Sequence, residues 1–194
     1  AEDAMGVPID ITHAGIGYYD LNGYDQEVQN LSKQYNAKAD NPFVITSAVP
    51  AVVRRTKPGT TVNKNKDQPM RFLGAAGYAH AAAYTNDFFK YFSDTTGPLT
   101  VEQGALRLRD NAGWGGTNVT VKAGARLILA DTAAEQPFVK ANTRVETALT
   151  VEEGGKIEID LTEKPVKVRS FTYAGAPLER GVYTKANCAA IEGE

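Results

Sequence analysis

The stretch "LTVEEGGKIEIDL", residues 149–161, carries the fold, because the chain writes the same unit twice before it. Residues 99–108 read "LTVEQGALRL" and residues 119–129 read "VTVKAGARLIL". Aligned on their first strands, Leu99, Val101 and Gly104 match Val119, Val121 and Gly124, then Leu149, Val151 and Gly154. After each glycine the apolar residues alternate: Leu106 and Leu108, Leu127 and Leu129, Ile157 and Ile159. Period-two alternation describes a strand with one buried and one wet face. The glycine permits a positive backbone torsion at a sharp corner. The first unit is one residue shorter after its glycine, so its corner is expected to differ in shape.

The units start 20 and then 30 residues apart, a spacing that signals stacked repeats. One strand–corner–strand unit cannot bury its apolar face alone, whereas stacked units share a continuous core. The intervals "RDNAGWGGTN" and "ADTAAEQPFVKANTRVETA" have no helical period, which argues against strand–helix repeats. The expected fold is all-β, a parallel β-helix or β-solenoid. Leu99, Val101, Val119, Val121, Leu149, Val151, Ile157 and Ile159 should point inward. Thr100, Thr120 and Thr150 share one wet position, where like residues can form a ladder between coils.

A longer internal echo aligns "YDLNGYDQEVQNL", residues 19–31, with "IDLTEKPVKVRSF", residues 159–171. It suggests the same coil transition twice, with "NG" and "EKP" as turn chemistry. Between the copies, residues 42–55 read as a strand broken at Pro50, and residues 57–68 as a loop. Residues 75–94 are rich in alanine and aromatics, and Tyr84, Phe88, Phe89 and Phe92 suit a short helix covering an end or flank of the stack. The chain is thus expected to be a single solenoid domain over residues 1–194, or a fragment of one, with residues 54–96 as an irregular, partly helical insertion.

Composition narrows the function classes. A net charge of −2 and a pI near 5.8 give no footprint for nucleic acid. The basic cluster Arg54, Arg55, Lys57, Lys64 and Lys66 reads as a solvated loop, with an acidic-glycan site as the other reading. Cys188 is the one cysteine, so no internal disulfide forms, and it reads as a small buried residue. His13 and His80 have no metal-ligand spacing, and neither a metal nor a cofactor is expected. No apolar run reaches the roughly 20 residues of a membrane helix. "AEDAMGVPID" has neither a basic start nor an apolar stretch, so the chain reads as mature or trimmed.

"DLNGYDQEVQNL", the pair "LTVEQGALRLRDNAGWGGTNVTVKAGARLIL" and the ending "FTYAGAPLERGVYT" resemble bacterial secreted β-helix modules with autotransporter-associated β-strand repeats. In that family a closing element with Asn-Gly is usual. Here Tyr173-Ala174-Gly175 stands at that place, followed by Leu178, Gly181, Tyr183 and Thr184. The resemblance covers residues 18–45 and 97–185. It implies a right-handed parallel β-helix on an exported, often surface-attached protein, in a family whose members accompany glycan-degrading domains or act as adhesive stalks. It also implies a longer parent chain, or another subunit, against the solenoid edge.

Catalysis on glycans needs two carboxylates about 5–10 Å apart across the scissile bond. Asp20 and Asp25 flank one turn and are the nearest candidates for a glycoside hydrolase; Arg54 and Arg55 lack the acid cluster a lyase would want. Turn chemistry alone also accounts for "DLNGYD". Trp114, in "NAGWGGTN", reads either as a sugar-stacking platform or as a cap on the core at a corner, and the second is preferred. Tyr24 is the other ligand-binding candidate, with Tyr18 and Tyr19 beside it. The leading expectation is a non-catalytic structural or glycan-binding module, and the alternative is a polysaccharide-active enzyme.

Overall fold

A computed structural model describes residues 9–13, 17–33, 43–57, 70–89, 92–109, 112–130, 137–138, 146–159 and 165–193. These residues form strands and no helix. The strands are β1 (Ile9–His13), β2 (Gly17–Asp20), β3 (Gln26–Lys33), β4 (Phe43–Arg55), β5 (Met70–His80), β6 (Thr85–Phe89), β7 (Phe92–Ser93), β8 (Leu99–Val101) and β9 (Ala105–Arg109). They continue as β10 (Gly113–Trp114), β11 (Asn118–Val121), β12 (Arg126–Leu129), β13 (Ala148–Val151), β14 (Lys156–Ile159), β15 (Ser170–Tyr173), β16 (Ala176–Pro177) and β17 (Ile191–Gly193).

Each copy of the repeated unit splits between two sheets. The first strands, β8, β11 and β13, are neighbours in a ten-stranded sheet of order β1-β3-β4-β5-β8-β11-β13-β15-β16, with β2 beside β4. The second strands, β9, β12 and β14, are neighbours in a five-stranded sheet of order β6-β9-β12-β14-β17. β7 and β10 form a third, short pair. All pairings are parallel except the β15–β16 hairpin.

Pairing follows the sequence alignment of the units. Leu99 faces Val119, which faces Leu149; Val101, Val121 and Val151 do the same. In the second sheet Leu106, Leu127 and Ile157 form one column and Leu108, Leu129 and Ile159 the next. These side chains belong to one core cluster, and all are buried except Ile159, which is half-buried. Burying each contributes about 1.5–3 kcal/mol. Thr100, Thr120 and Thr150 stack in register on the outer face, and Thr172 extends the ladder.

Gly104, Gly124 and Gly154 turn the corners at φ of 60°, 73° and 82°. Gly104 directly precedes β9, whereas Ala125 and Gly155 intervene before β12 and β14, so the shorter first corner is real. Corner backbones also stack: Lys122 N–H donates to Val101 O at 2.9 Å, and Glu152 N–H to Val121 O at 2.9 Å.

The middle of the chain corrects two expectations. No helix covers residues 75–94 where they are described; β5 runs to His80 and β6 follows. Tyr78 pairs with Leu99 and His80 with Val101, while Phe88 pairs with Leu108. Within residues 54–96, the end of β4, β5 and β6 therefore pair in the two main sheets, while β7 pairs with β10. Alanine's helix preference over other residues is well under 1 kcal/mol per position, and ladder bonds plus burial outweigh it. Pro50 does not end β4; the strand continues, and its register slips between Ser47 and Ala51.

The long echo is not a spatial equivalence. Val28, paired with Ile9, lies in a column that passes through Arg55, His80, Val101, Val121 and Val151 to Tyr173, not to Val168. Asp160 and Leu161 lie outside the described residues, as do Lys64 and Lys66.

Two substitutions test this register. Val121→Asp places a charge between Val101 and Val151 in the core and should cost about 3–5 kcal/mol, measured by urea unfolding. Ala174 and Gly175 form the two-residue turn of the β15–β16 hairpin at φ of 50° and 79°. A turn with both torsions positive favours Asn-Gly, so Ala174→Asn should stabilise by roughly 0.5–1 kcal/mol and raise the melting temperature.

Candidate functional site

The Asp20–Asp25 turn stacks on the slip in β4. Asp20 closes β2, and its Oδ1 accepts the Asn22 N–H at 3.0 Å. Asp25 Oδ1 accepts the Val52 N–H at 2.8 Å, on the far side of the slip. Gly23 N–H donates to Ser47 Oγ at 3.1 Å, and Ser47 Oγ–H to Val49 O at 2.6 Å. Both carboxylates thus hold backbone in place. Tyr18 is 73% exposed, Tyr24 51% and Val49 53%, so one corner gathers three of the four large exposed apolar side chains among the described residues. Tyr19 packs against the core instead, and its hydroxyl donates to Gln26 Oε1 at 3.4 Å.

Trp114 does not join them. It is fully buried, its ring centroid 5.1 Å from that of Phe72. Its indole N–H donates to Gly97 O at 3.1 Å, and its backbone N–H to Pro137 O at 2.7 Å. A Cβ at Gly116 would collide with that indole and with Gly97 O, so the glycines make room for the ring. The sugar-platform reading of Trp114 is therefore corrected: a ring with no exposed face cannot stack on a sugar, and it caps the core at a corner.

The basic cluster also divides. Arg54 pairs with Glu27 at 3.0 Å and Glu102 at 2.8 Å on the outer face. Arg55 turns inward and is 2% exposed. Neither lies in a loop, because both end β4.

Around Arg55 the structure assembles a buried polar cluster. Arg55 Nη1–H donates to Asn86 Oδ1 at 2.8 Å, and the guanidinium lies 5.4 Å from the Tyr84 ring centroid, in cation–π range. His80, 0% exposed, lies 2.9 Å through Nε2 from Tyr84 O. A carbonyl only accepts, so Nε2 carries the proton. Nδ1 is then left to accept from the Tyr78 hydroxyl at 3.4 Å. β6 is an edge strand of the five-stranded sheet, so the cluster lies at that sheet's edge.

Burial holds the His80 pKa below its ordinary value, and the Arg55 charge adds to the effect, against the backbone carbonyl of Tyr84. Burial also pushes the Tyr78 and Tyr84 phenols up, with Arg55 opposing. The cluster contains a buried neutral imidazole, the buried Tyr78 phenol and the half-buried Tyr84 phenol, whose hydroxyl donates to Lys57 O at 3.1 Å. Sequence reading missed it because its members are scattered from residue 55 to 86 and meet only through strand pairing.

At the opposite end, a cavity of about 1190 Å³ opens between β13, β14, β15 and β17. Leu129, Phe138, Leu149, Ile157 and Phe171 form its buried floor, and Leu178 and Tyr183 stand over it. Tyr183 meets Phe171 edge-on with centroids 5.7 Å apart. Cys188 is buried nearby in the same core cluster.

Among the described residues, no group of three or more His, Cys, Asp or Glu side chains could hold a metal ion. No described helix is long and apolar enough to cross a membrane. The chain matches no protein-family model, no curated protein and no solved structure.

Because folding lowers the His80 pKa, the unfolded chain binds the proton more tightly. Stability is full above the unfolded value of about 6.5 and falls as pH drops below it. Urea midpoints measured against pH should show this loss, and His80→Gln should flatten the part of the slope that begins near pH 6.5.

Proposed function

We propose that the chain is a non-catalytic structural or glycan-binding module of the right-handed parallel β-helix type, from an exported bacterial protein. The observation that carries this reading is the in-register parallel stacking of β8, β11 and β13 with β9, β12 and β14. Such stacking makes a stiff rod whose length grows coil by coil, which suits a stalk or spacer. Resemblance to secreted modules with autotransporter-associated repeats supports the same class and the exported location. Asp20 and Asp25 each accept a backbone N–H through Oδ1, as turn chemistry does, which supports the non-catalytic reading.

Tyr18 and Tyr24 support the glycan-binding form. Their exposed rings flank one turn, where an aromatic face can stack on a sugar. The turn also offers polar side chains at Asp20, Asn22 and Asp25.

A panel of polysaccharides scored for both binding and released reducing ends tests the proposal. Binding without product release, weakened by Tyr18→Ala or Tyr24→Ala, is the expected result for a glycan-binding module. No binding leaves the scaffold role. Reducing ends that vanish in Asp20→Asn or Asp25→Asn would overturn the non-catalytic reading in favour of a polysaccharide-active enzyme.

A further inference from the structure

In the three repeated units a corner of three or four residues joins the strand of the large sheet to the strand of the five-stranded sheet. The last coil departs from this: residues 174–190, including the short β16, separate β15 from β17. The space that inward side chains fill in the earlier coils is left open there. Protein interiors are close-packed, so an apolar space of this size is a feature of the last coil and not ordinary looseness. Its volume of about 1190 Å³ exceeds the range of about 300–1,000 Å³ usual for small-molecule sites.

Among the described residues, cations outnumber carboxylates at the cavity. Lys167, Arg169, Arg180 and Lys185 line it, and all four are exposed. Two carboxylates line it as well. Glu192 is engaged elsewhere, 3.2 Å from Arg126 Nη2 and 3.4 Å from Lys156 Nζ. That leaves Glu179 against Arg169, Arg180 and Lys185 among the described residues. An apolar floor beneath a cationic mouth fits a ligand with a long alkyl body and an anionic head.

We propose that this cavity binds a free long-chain fatty acid. The tail lies along Leu129, Ile157, Phe171 and Leu178, and the carboxylate meets Arg169 and Arg180, whose guanidinium groups match it in shape and charge. The proposal goes beyond the module reading and does not rest on it, since the tyrosines tested there lie outside the cavity.

The purified chain is titrated with cis-parinaric acid, a fluorescent fatty acid, and the complex is competed with palmitate and with 1-hexadecanol. Palmitate should displace the probe, and the uncharged alcohol should be weaker by about tenfold or more. Reversing the mouth charge with Arg169→Glu and Arg180→Glu together should weaken palmitate by about tenfold. Val168→Trp, which narrows the cavity, should abolish binding; if that variant loses its circular-dichroism spectrum, Leu178→Trp takes its place. Absence of a probe signal, equal competition by the alcohol and palmitate, or unchanged binding in the narrowed variant would each overturn the proposal.

Discussion

Parallel, in-register stacking is the constraint on which the rest of the structure depends. Strands about 4.8 Å apart place each side chain directly on its counterpart in the next strand. Apolar columns therefore become continuous walls, as from Tyr78 through Leu99, Val119 and Leu149 to Phe171. A one-residue slip would turn every such wall to solvent, so alternation holds the register as firmly as the backbone bonds do. The corners obey the same rule, with Gly104, Gly124 and Gly154 placed to let the chain turn without lifting one coil off the next.

Stacking carries a penalty on the outside, because identical coils would set like charges against each other. The chain varies its charges from coil to coil. Glu102, Lys122 and Glu152 alternate in sign just after β8, β11 and β13, and Lys122 lies 3.3 Å from Glu152. Asp87 lies 3.3 Å from Arg107, its partner in register, and 3.0 Å from Arg109. Glu158 and Glu192 do stack as like charges, and Arg126 bridges both. Each exposed pair contributes only about 0–1 kcal/mol, so the pattern matters more for avoiding repulsion than for adding stability.

The two ends of the space between the sheets are finished differently. At the β6 edge, Arg55, Asn86, His80 and Tyr78 form a buried polar cluster with the half-buried Tyr84 against it. At the other end the long segment after β15 leaves an apolar cavity with a cationic mouth. The large sheet's edge is protected by the β15–β16 hairpin, where Pro177 lacks the N–H that a further strand would need.

The sequence by itself determined the repeated unit, its inward residues and its glycine corners, because period-two alternation and positive torsions are local properties. It also placed Trp114 correctly under its preferred reading as a core cap. What only the tertiary structure decided involves contacts between strands far apart in the sequence. The alanine-rich stretch became β5 because its partners in β4 and β8 outweigh a weak local helix preference. The Val28 column ends at Tyr173, which no gap-free alignment reveals. Arg55 left its basic neighbours for the interior, where Asn86 and Tyr84 receive it. Side-chain identity within one strand encodes which face is wet; which residues meet across coils depends on loop lengths, and those carry no period to read.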